Sequence, residues 1–347
     1  MNSHPHAILV VGPSWVGDMV MAQSLFMTLR ARAPGCPIDV LAPAWSVGLL
    51  SRMPEVRHTI ELPGAQAGLA IAARLRLARA LRARGYQQAI VLPRSLKSAL
   101  IPTLARIPIR TGYRGEVRYG LINDMRTLAP ARLPQTVQRF VALGVEPEVS
   151  LPAPTPRPRL RVDRANADRL RKRVGLSLTR PIIGLAPGAE YGPAKRWPTE
   201  HYAELGMRLV DANMQVWLLG SPRDREMGER IATLAGGRLR NLCGETRLED
   251  AVDLMAQTDL VVTNDSGAMH LAAALDRPLV VLYGSSSPRH TPPLSDRAAV
   301  LSLGLECSPC FEHTCPLGHY RCLTEMNPGR VFEAVKDGLA ASGPRAV

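Results

Sequence analysis

The chain has 347 residues, of which 46% are hydrophobic, and a formal net charge of +13 at pH 7. That length suggests roughly two domains of about 150 residues each, and the ordinary apolar fraction excludes a disordered chain. No apolar stretch approaches the ~18 residues of a membrane-spanning helix, so an integral membrane protein is excluded. The first residues lack a basic segment ahead of a long apolar core, so we expect no signal peptide and a cytoplasmic location.

The first 150 residues read as strands alternating with helices. Strands are predicted at 7–11, 38–41 and 89–92, and helices at 18–30 and 69–84. Five prolines within 146–160 cannot continue a helix and predict an extended linker.

The same pattern begins again after the linker. Strands are predicted at 182–186, 215–219, 260–263 and 279–283, with helices at 199–212, 223–235, 248–257 and 265–275. This alternation is typical of parallel sheets covered on both faces, so we predict an α/β protein of two Rossmann-like domains facing each other across a cleft. The predicted divisions are an N-terminal domain at 1–150, a Pro/Arg-rich linker and lead-in at 151–180, a C-terminal domain at 181–325, and a helix and tail at 326–347 that pack back on the first domain.

The positive charge is concentrated before the second domain. Residues 1–150 hold 18 basic and 8 acidic residues, residues 151–180 hold 9 and 2, and residues 181–347 hold 16 and 20. A basic half suggests nucleic acid, a phosphorylated glycolipid or an acidic membrane surface as partner, although a solvated basic face gives the same count. Nucleic acid is disfavoured, because aromatic side chains that could stack on bases make up only 4% of the chain.

The loop between the first strand and the first helix reads VGPSWVGD over 11–18. Gly12 and Gly17 permit close backbone approach, and Asp18 stands at the helix start. Neither a Lys-Ser/Thr phosphate motif nor a dinucleotide fingerprint is present. Asp18 is therefore either a helix cap or a catalytic carboxylate at the cleft.

Two loops of the second half suggest a diphosphate site. The first, 187–198, contains Lys195, one of only four lysines in the chain, next to Arg196; the alternative is a solvated basic turn. The second, TNDSGAMH over 263–270, ends a strand and begins an Ala-rich helix whose first amides and dipole would bind an anion. Its alternative has Asp265 as an ordinary N-cap and His270 as a packed histidine.

Two further patterns are weaker. Asp224 or Glu226, after a strand, would hold ribose hydroxyls or simply favour the helix start by charge. Four cysteines lie close together, with two histidines among them, and suggest structural zinc, disulfides or free thiols; they are Cys307, Cys310, Cys315 and Cys322.

These stretches together resemble the ADP-heptose:lipopolysaccharide heptosyltransferases, and within that family the branch that adds the second heptose. The resemblance rests on GPSWVGDMVMAQSL, APAW, LLSRMPEV, LKSAL, RTGYRGEVRYGLIND, PGAEYGPAKRWP, TNDSGAMHLAAAL and RPLVVLYGSSSP, in this order over nearly the whole chain. It implies a GT-B fold and an inverting transfer that requires no metal cofactor, from ADP-heptose to the first heptose of the Kdo–lipid A core, at the inner face of the inner membrane. Other nucleotide-sugar enzymes of the same fold, including sugar-nucleotide epimerases, are the alternative.

The resemblance also implies roles for single residues. Asp18 would be the general base and Lys195 would contact the diphosphate. Residues expected around the donor are Gly17, Gly188, Ala189, Glu190, Arg196, Asp224, Asp265, Ser266, Gly267 and His270. The basic N-terminal half fits an acceptor that carries phosphates and carboxylates, and its expected contacts are Lys97, Arg110, Arg114 and Arg118. Arg94 departs from the family pattern, since we expect Asn at this position in many relatives.

Overall fold

The computed structural model describes residues 7–63, 71–176 and 179–342. The chain divides into two units, Met1–Pro158 and Arg159–Val347. The boundary falls inside the predicted linker. How the two units face each other, and hence the cleft, stays a prediction.

Unit 1 is built on a parallel sheet. Its strands are β1 (Ile8–Val11), β2 (Ile38–Ala42), β3 (Val56–Glu61), β4 (Gln88–Val91), β5 (Ile109–Tyr113) and β6 (Asp124–Arg126). Its described helices are α1 (Val16–Arg32), α2 (Val47–Leu50), α3 (Ile71–Arg82), α4 (Leu96–Leu104) and α5 (Thr136–Ala142). The strand order is β3-β2-β1-β4-β5-β6, the doubly wound order of a Rossmann fold.

Unit 2 repeats this design. Its strands are β7 (Ile182–Ala186), β8 (Gln215–Leu218), β9 (Arg240–Asn241), β10 (Leu260–Asn264), β11 (Leu279–Leu282) and β12 (Ala298–Leu301). Its described helices are α6 (Arg164–Arg173), α7 (Thr199–Asp211), α8 (Arg225–Leu234), α9 (Leu248–Met255), α10 (Gly267–Ala274), α11 (Arg321–Thr324) and α12 (Pro328–Ser342). The order β12-β11-β10-β7-β8-β9 is again the doubly wound order, with β7 in the place of β1.

The central strands explain why the apolar runs predicted the fold. Every residue of β7, β10 and β11 is buried, because helices cover both faces of the sheet. The edge strands carry a weaker signal: β3 is largely exposed and includes charged residues, and β12 is only partly buried. For this reason the sequence missed β3 and placed the last strand at 279–283, ahead of β12.

Part of the predicted linker and lead-in at 151–180 folds into unit 2. Helix α6 lies within it and packs on α9. Asp163 caps α6 by accepting a 2.9 Å hydrogen bond from the Asn166 backbone amide. The buried Asp253 of α9 accepts bonds from the Asp163 amide and the Asn166 carboxamide, at 2.9 and 2.8 Å. These contacts fix α6 to the domain that follows it.

The C-terminal helix also packs within unit 2. α12 lies on α7, β10 and β11, and the Trp197 indole donates a 2.9 Å bond to the Met326 carbonyl just before it. The predicted contact of this helix with the first domain stays a prediction. In the part of the chain that the structure describes, no helix is both long and apolar enough to cross a bilayer.

Candidate active site

The two predicted anion-binding loops of unit 2 meet at one edge of its sheet. β7 and β10 are neighbouring parallel strands, so the loops that follow them leave the same, carboxyl edge, where open α/β sheets bind ligands. The buried Asn264 joins the loops: its Nδ2 donates to the Pro187 carbonyl (2.8 Å), and its Oδ1 accepts from the Trp197 amide (3.2 Å). The loop carrying Lys195 is therefore fixed to the end of β10.

Lys195 and Asp265 form a largely buried ion pair at this edge. Their Nζ and Oδ2 atoms are 2.7 Å apart, and the side chains are 18% and 5% exposed. The ammonium also lies 5.1 Å from the centre of the Tyr191 ring, and Asp265 accepts from the Thr291 hydroxyl at 3.3 Å. Because an ammonium has three donors, Lys195 can bind an anion while it remains paired to Asp265.

Helix α10 begins beside this pair, and its first residues differ from the expectation. Ser266, rather than Asp265, is the N-cap residue, and the helix runs from Gly267 to Ala274. The Ser266 side chain does not cap the helix, since its hydroxyl lies 3.2 Å from that of Thr263. The first amides of a helix have no acceptor within it, so this terminus with its positive dipole end is suited to an anion.

His270 lies one turn into α10 and is buried. Burial, with a smaller contribution from Lys195, lowers its pKa to about 4, although the nearby Asp265 opposes the shift. The imidazole is therefore neutral at physiological pH and would offer a hydrogen bond, not a positive charge, to a ligand. The burial of His270 is what we expected of a packed histidine, the alternative given for this residue in the sequence analysis.

Asp224 reaches the same loop from the end of β8. A Cβ atom added to Gly188 would lie 2.5 Å from Asp224 Oδ1, so only glycine permits this approach. The other oxygen, Oδ2, accepts from the amide and hydroxyl of Ser221 at 2.8 and 2.7 Å. Asp224 thus caps its own turn and also lies against the loop that carries Lys195.

The remaining donor candidates have supporting contacts. Arg196 Nε donates to the Ala189 carbonyl at 3.1 Å and holds the shape of the loop. Glu190 pairs with Arg223 across an exposed contact, a type of ion pair that contributes little stability.

A segment that the motif analysis did not connect with this site packs against it. The Tyr191 hydroxyl donates to the Phe311 carbonyl at 2.8 Å, and the Ala194 amide donates to the His313 carbonyl at 3.2 Å. A Cβ atom at Gly192 would lie 2.5 Å from that His313 oxygen. The chain around the cysteines therefore supports the back of the Lys195 loop.

The cysteines in that segment are reduced. Over residues 7–63, 71–176 and 179–342, no three or more His, Cys, Asp or Glu side chains are arranged to hold a metal ion. All six cysteines, which fall in those ranges, are free thiols. Of the three alternatives for Cys307, Cys310, Cys315 and Cys322, the structure therefore contains no disulfide. The four thiols lie near one another, since burial and then the neighbouring Cys310, Cys307 and Cys315 raise the pKa of Cys322.

In unit 1, Gly17 and Asp18 lie in the first turn of α1. The N-cap residue is Trp15, which makes no side-chain capping bond, so Asp18 is not the cap. Both Gly17 and Asp18 are half-buried. The carboxylate stands at the carboxyl end of β1, where a ligand of this unit would lie.

The four basic candidates for acceptor binding separate into two pairs. Lys97 and Arg114 are exposed and follow β4 and β5 at the carboxyl edge of the sheet. Arg110 lies at the opposite edge, near the start of β5, and donates to the carbonyls of Leu121 and Ile107 at 2.7 and 2.6 Å.

Arg118 is the clearest correction among these candidates. It is 1% exposed and donates to the carbonyls of Pro93 (2.8 Å) and Tyr113. Burial lowers the pKa of its guanidinium, with a further contribution from Arg94. Arg118 therefore holds two loops together, and Arg110 and Arg118 are removed from the acceptor contacts.

Asn264 and Thr291 were missed by sequence reasoning. Asn264 stands inside the TND motif, but an amide at a strand end gives no sign of which loops it joins. Thr291 reaches Asp265 only because β10 and β11 are neighbours. No local sequence pattern marks either contact.

Comparison with known proteins agrees with this geometry. The sequence model of glycosyltransferase family 9 (heptosyltransferase) matches residues 74–321. The chain is 49% identical to lipopolysaccharide heptosyltransferase 2 of Salmonella typhimurium, over 97% of this chain and 99% of that protein. It is also 49% identical to lipooligosaccharide heptosyltransferase 2 of Haemophilus influenzae, over 96% and 99%. The structure of Escherichia coli ADP-heptose LPS heptosyltransferase II superposes with a TM-score of 0.88 at 47% identity, covering 96% of this chain and 99% of that one.

Two doubly wound units in one chain make up the GT-B fold, the fold of the superposed heptosyltransferase II. The match over most of the chain and the identity over nearly all of it then specify the family. The chain belongs to glycosyltransferase family 9, the heptosyltransferases.

Proposed function

We propose that this enzyme transfers L-glycero-D-manno-heptose from ADP-heptose to the first heptose of the lipopolysaccharide inner core, the reaction of a heptosyltransferase II. The observation that carries the proposal is the ion pair of Lys195 with Asp265 next to the start of α10, which has no side-chain cap; together they suit a diphosphate. The 49% identity to two heptosyltransferase 2 enzymes, over nearly the full length of the chain, supports the particular reaction.

The donor's diphosphate would lie between the Lys195 ammonium and the first amides of α10. Both groups favour the charge that develops on a departing ADP, so we propose that the transfer needs no metal cofactor. Asp224, held against Gly188, would accept hydrogen bonds from the ribose. The neutral His270, below the helix start, would contribute a hydrogen bond.

Asp18 would act as the general base. It takes the proton of the acceptor hydroxyl while that oxygen attacks the anomeric carbon of the heptose. The bond from this carbon to the ADP oxygen breaks as the new bond forms on the opposite face, which inverts the anomeric configuration. The proton ends on Asp18, and the negative charge leaves with ADP.

The acceptor would bind unit 1 through the exposed cations Lys97 and Arg114 at the carboxyl edge of the sheet. Kdo carboxylates and core phosphates are the groups that such cations recognise. Because the acceptor is anchored through lipid A, the enzyme would work at the cytoplasmic face of the inner membrane as a peripheral protein.

The assigned base is tested by Asp18→Asn with purified ADP-heptose and inner-core acceptor. We expect transfer to fall by about a hundredfold or more, while the affinity for ADP stays within about twofold. Asp168→Asn, at an exposed carboxylate paired with Arg171, is the matched control and should transfer normally. Turnover by Asp18→Asn near that of the control would refute the assignment.

The substrates are tested separately. ADP should raise the melting temperature more than UDP or GDP, and transfer should require an acceptor that already carries one heptose. Stabilisation by UDP alone would indicate another nucleotide-sugar enzyme of this fold. Transfer to an acceptor without heptose would indicate the first heptosyltransfer instead.

A further inference from the structure

The loop after β5, residues 114–120, buries one arginine and exposes its valine and its tyrosine. Arg118 is 1% exposed, whereas Val117 is 79% exposed and Tyr119 63% exposed. Backbone carbonyls accept the hydrogen bonds of the Arg118 guanidinium, but the exposure of Val117 and Tyr119 contributes nothing to folding, which is stabilised by burial of apolar surface. The exposed pair therefore calls for a reason other than stability.

Hydrogen bonds and a close backbone contact hold this loop against residues 94–96. The Glu116 amide donates to the Arg94 carbonyl at 3.1 Å, and the Glu116 carboxylate accepts from the Leu96 amide at 2.7 Å, at the start of α4. A Cβ atom at Gly115 would lie 2.3 Å from the Arg94 carbonyl oxygen, so the backbones of these two segments are in direct contact. The exposed side chains therefore lie on a loop whose backbone conformation is held by these contacts.

The neighbourhood is both apolar and cationic. Leu96, at the start of α4, is a third exposed apolar side chain. The Arg114 guanidinium lies 6.0 Å from the centre of the Tyr119 ring, and Arg94 and Lys97 are exposed nearby. Glu116 is the single acidic residue between 93 and 120, and it is engaged with the Leu96 amide.

We propose that Leu96, Val117 and Tyr119, here called the docking tip, insert into an anionic lipid surface. The aliphatic side chains would enter the boundary between headgroups and acyl chains, and the tyrosine would lie at headgroup depth. Arg94, an exposed cation beside the tip that the acceptor proposal does not use, would face lipid phosphates and add electrostatic attraction. The inference deepens the proposed function, since it states how the enzyme reaches a lipid-anchored acceptor, but lipid binding itself needs no acceptor.

The test is flotation of the full chain with vesicles of phosphatidylcholine, alone or with added phosphatidylglycerol. We expect binding to the anionic vesicles only, weakened by salt. The docking-tip variant Val117→Asp, which leaves the contact between Arg114 and Tyr119 in place, should weaken binding at least roughly tenfold, because it removes apolar insertion and adds like charge. The matched control is Ile109→Asp, at an exposed position on the opposite edge of the same sheet, which should stay within about twofold.

A second measurement separates docking from acceptor recognition. The docking-tip variant should transfer normally to a deacylated, water-soluble acceptor, and slowly to the same acceptor embedded in vesicles. Equal loss on both acceptors, equal binding to neutral and anionic vesicles, or an effect no larger than that of Ile109→Asp would overturn the proposal. Complex formation without lipid that the variant abolishes would overturn it in favour of a protein partner. Failure of the unmodified enzyme to transfer to either acceptor would instead refute the proposed function. The flotation experiment would still test whether the docking tip binds anionic lipid.

Discussion

At the residue scale, the chemistry of unit 2 depends on one lysine whose position is set by a distant partner. Lys195 and Asp265 are 70 positions apart in the chain but 2.7 Å apart in space. The carboxylate keeps the ammonium at the start of α10, and Tyr191 limits the directions left to it. The basic loop is therefore not a solvated turn.

Replacement of Lys195 by Met should weaken ADP binding about tenfold to a hundredfold, because a charge-assisted bond to the diphosphate is lost. Isothermal titration with ADP measures this. Lys336→Met is the matched control, since Lys336 forms an exposed pair with Glu333 on α12, and it should leave the affinity unchanged. Equal affinity in both variants would contradict the role of Lys195.

His270 gives unit 2 a defined response to acid. Its pKa is 6.5 in the unfolded chain and about 4 in the folded one, chiefly because of burial. The unfolded state therefore binds more protons between these values, so the stabilisation is complete above about pH 6.5 and is lost as the pH falls towards 4.

The free energy of unfolding should drop by an amount on the order of 3 kcal/mol across that interval, as measured by urea unfolding at a series of pH values. His270→Gln should flatten this part of the profile, whereas His58→Gln, at an exposed histidine of β3, should not. An unchanged slope in His270→Gln would show that other groups cause it.

At the scale of elements, the site exists because β7 and β10 are adjacent and because one amide joins the loops that follow them. Asn264→Ala should cost about 2–3 kcal/mol, since it leaves the Pro187 carbonyl and the Trp197 amide without their buried partner. Hydrogen exchange in 187–198 should accelerate, because the loop is released from β10.

The matched control for this variant is Asn123→Ala. Asn123 makes the same two kinds of bond in unit 1, with the Arg110 amide and the Pro108 carbonyl, but at an exposed position. Its loss should cost less, because water replaces the bonds, and exchange in 187–198 should not change. Equal acceleration in both variants would contradict the bridging role of Asn264.

At the scale of the whole molecule, the two units have separate sheets and separate cores. In unit 1 the buried Asp39 accepts bonds from Arg57 at 2.9 and 2.7 Å and from Tyr86 at 2.5 Å. Burial alone would raise the pKa of Asp39, but these bonds outweigh it, so the net pKa lies below the ordinary 3.8. Its contribution to stability is present above that value and lost at lower pH.

Asp39→Ala should destabilise unit 1 by about 2–4 kcal/mol, because the buried Tyr86 hydroxyl and the Arg57 guanidinium lose their acceptor. Hydrogen exchange should rise in unit 1, while ADP affinity, assigned to unit 2, stays within about twofold. Asp168→Ala at an exposed ion pair should change stability by about 0.5 kcal/mol or less. A large loss of ADP affinity in Asp39→Ala would show that the units are energetically coupled.

The sequence by itself determined the fold class, the repeated βα pattern, the loops that carry the site and the family. These are local properties: continuous apolar runs mark strands buried on both faces, and glycine, proline and charged residues mark the turns between them. The same reasoning fails at edge strands such as β3, where the apolar run is absent.

The tertiary structure alone decided which side chains are available. It placed Ser266 rather than Asp265 at the helix cap, paired Asp265 with Lys195, and buried Arg118 under a loop whose apolar residues face outward. These outcomes depend on which strands are neighbours and on which carbonyls converge around a side chain. Such contacts join residues far apart in the chain, and no short stretch of sequence records them.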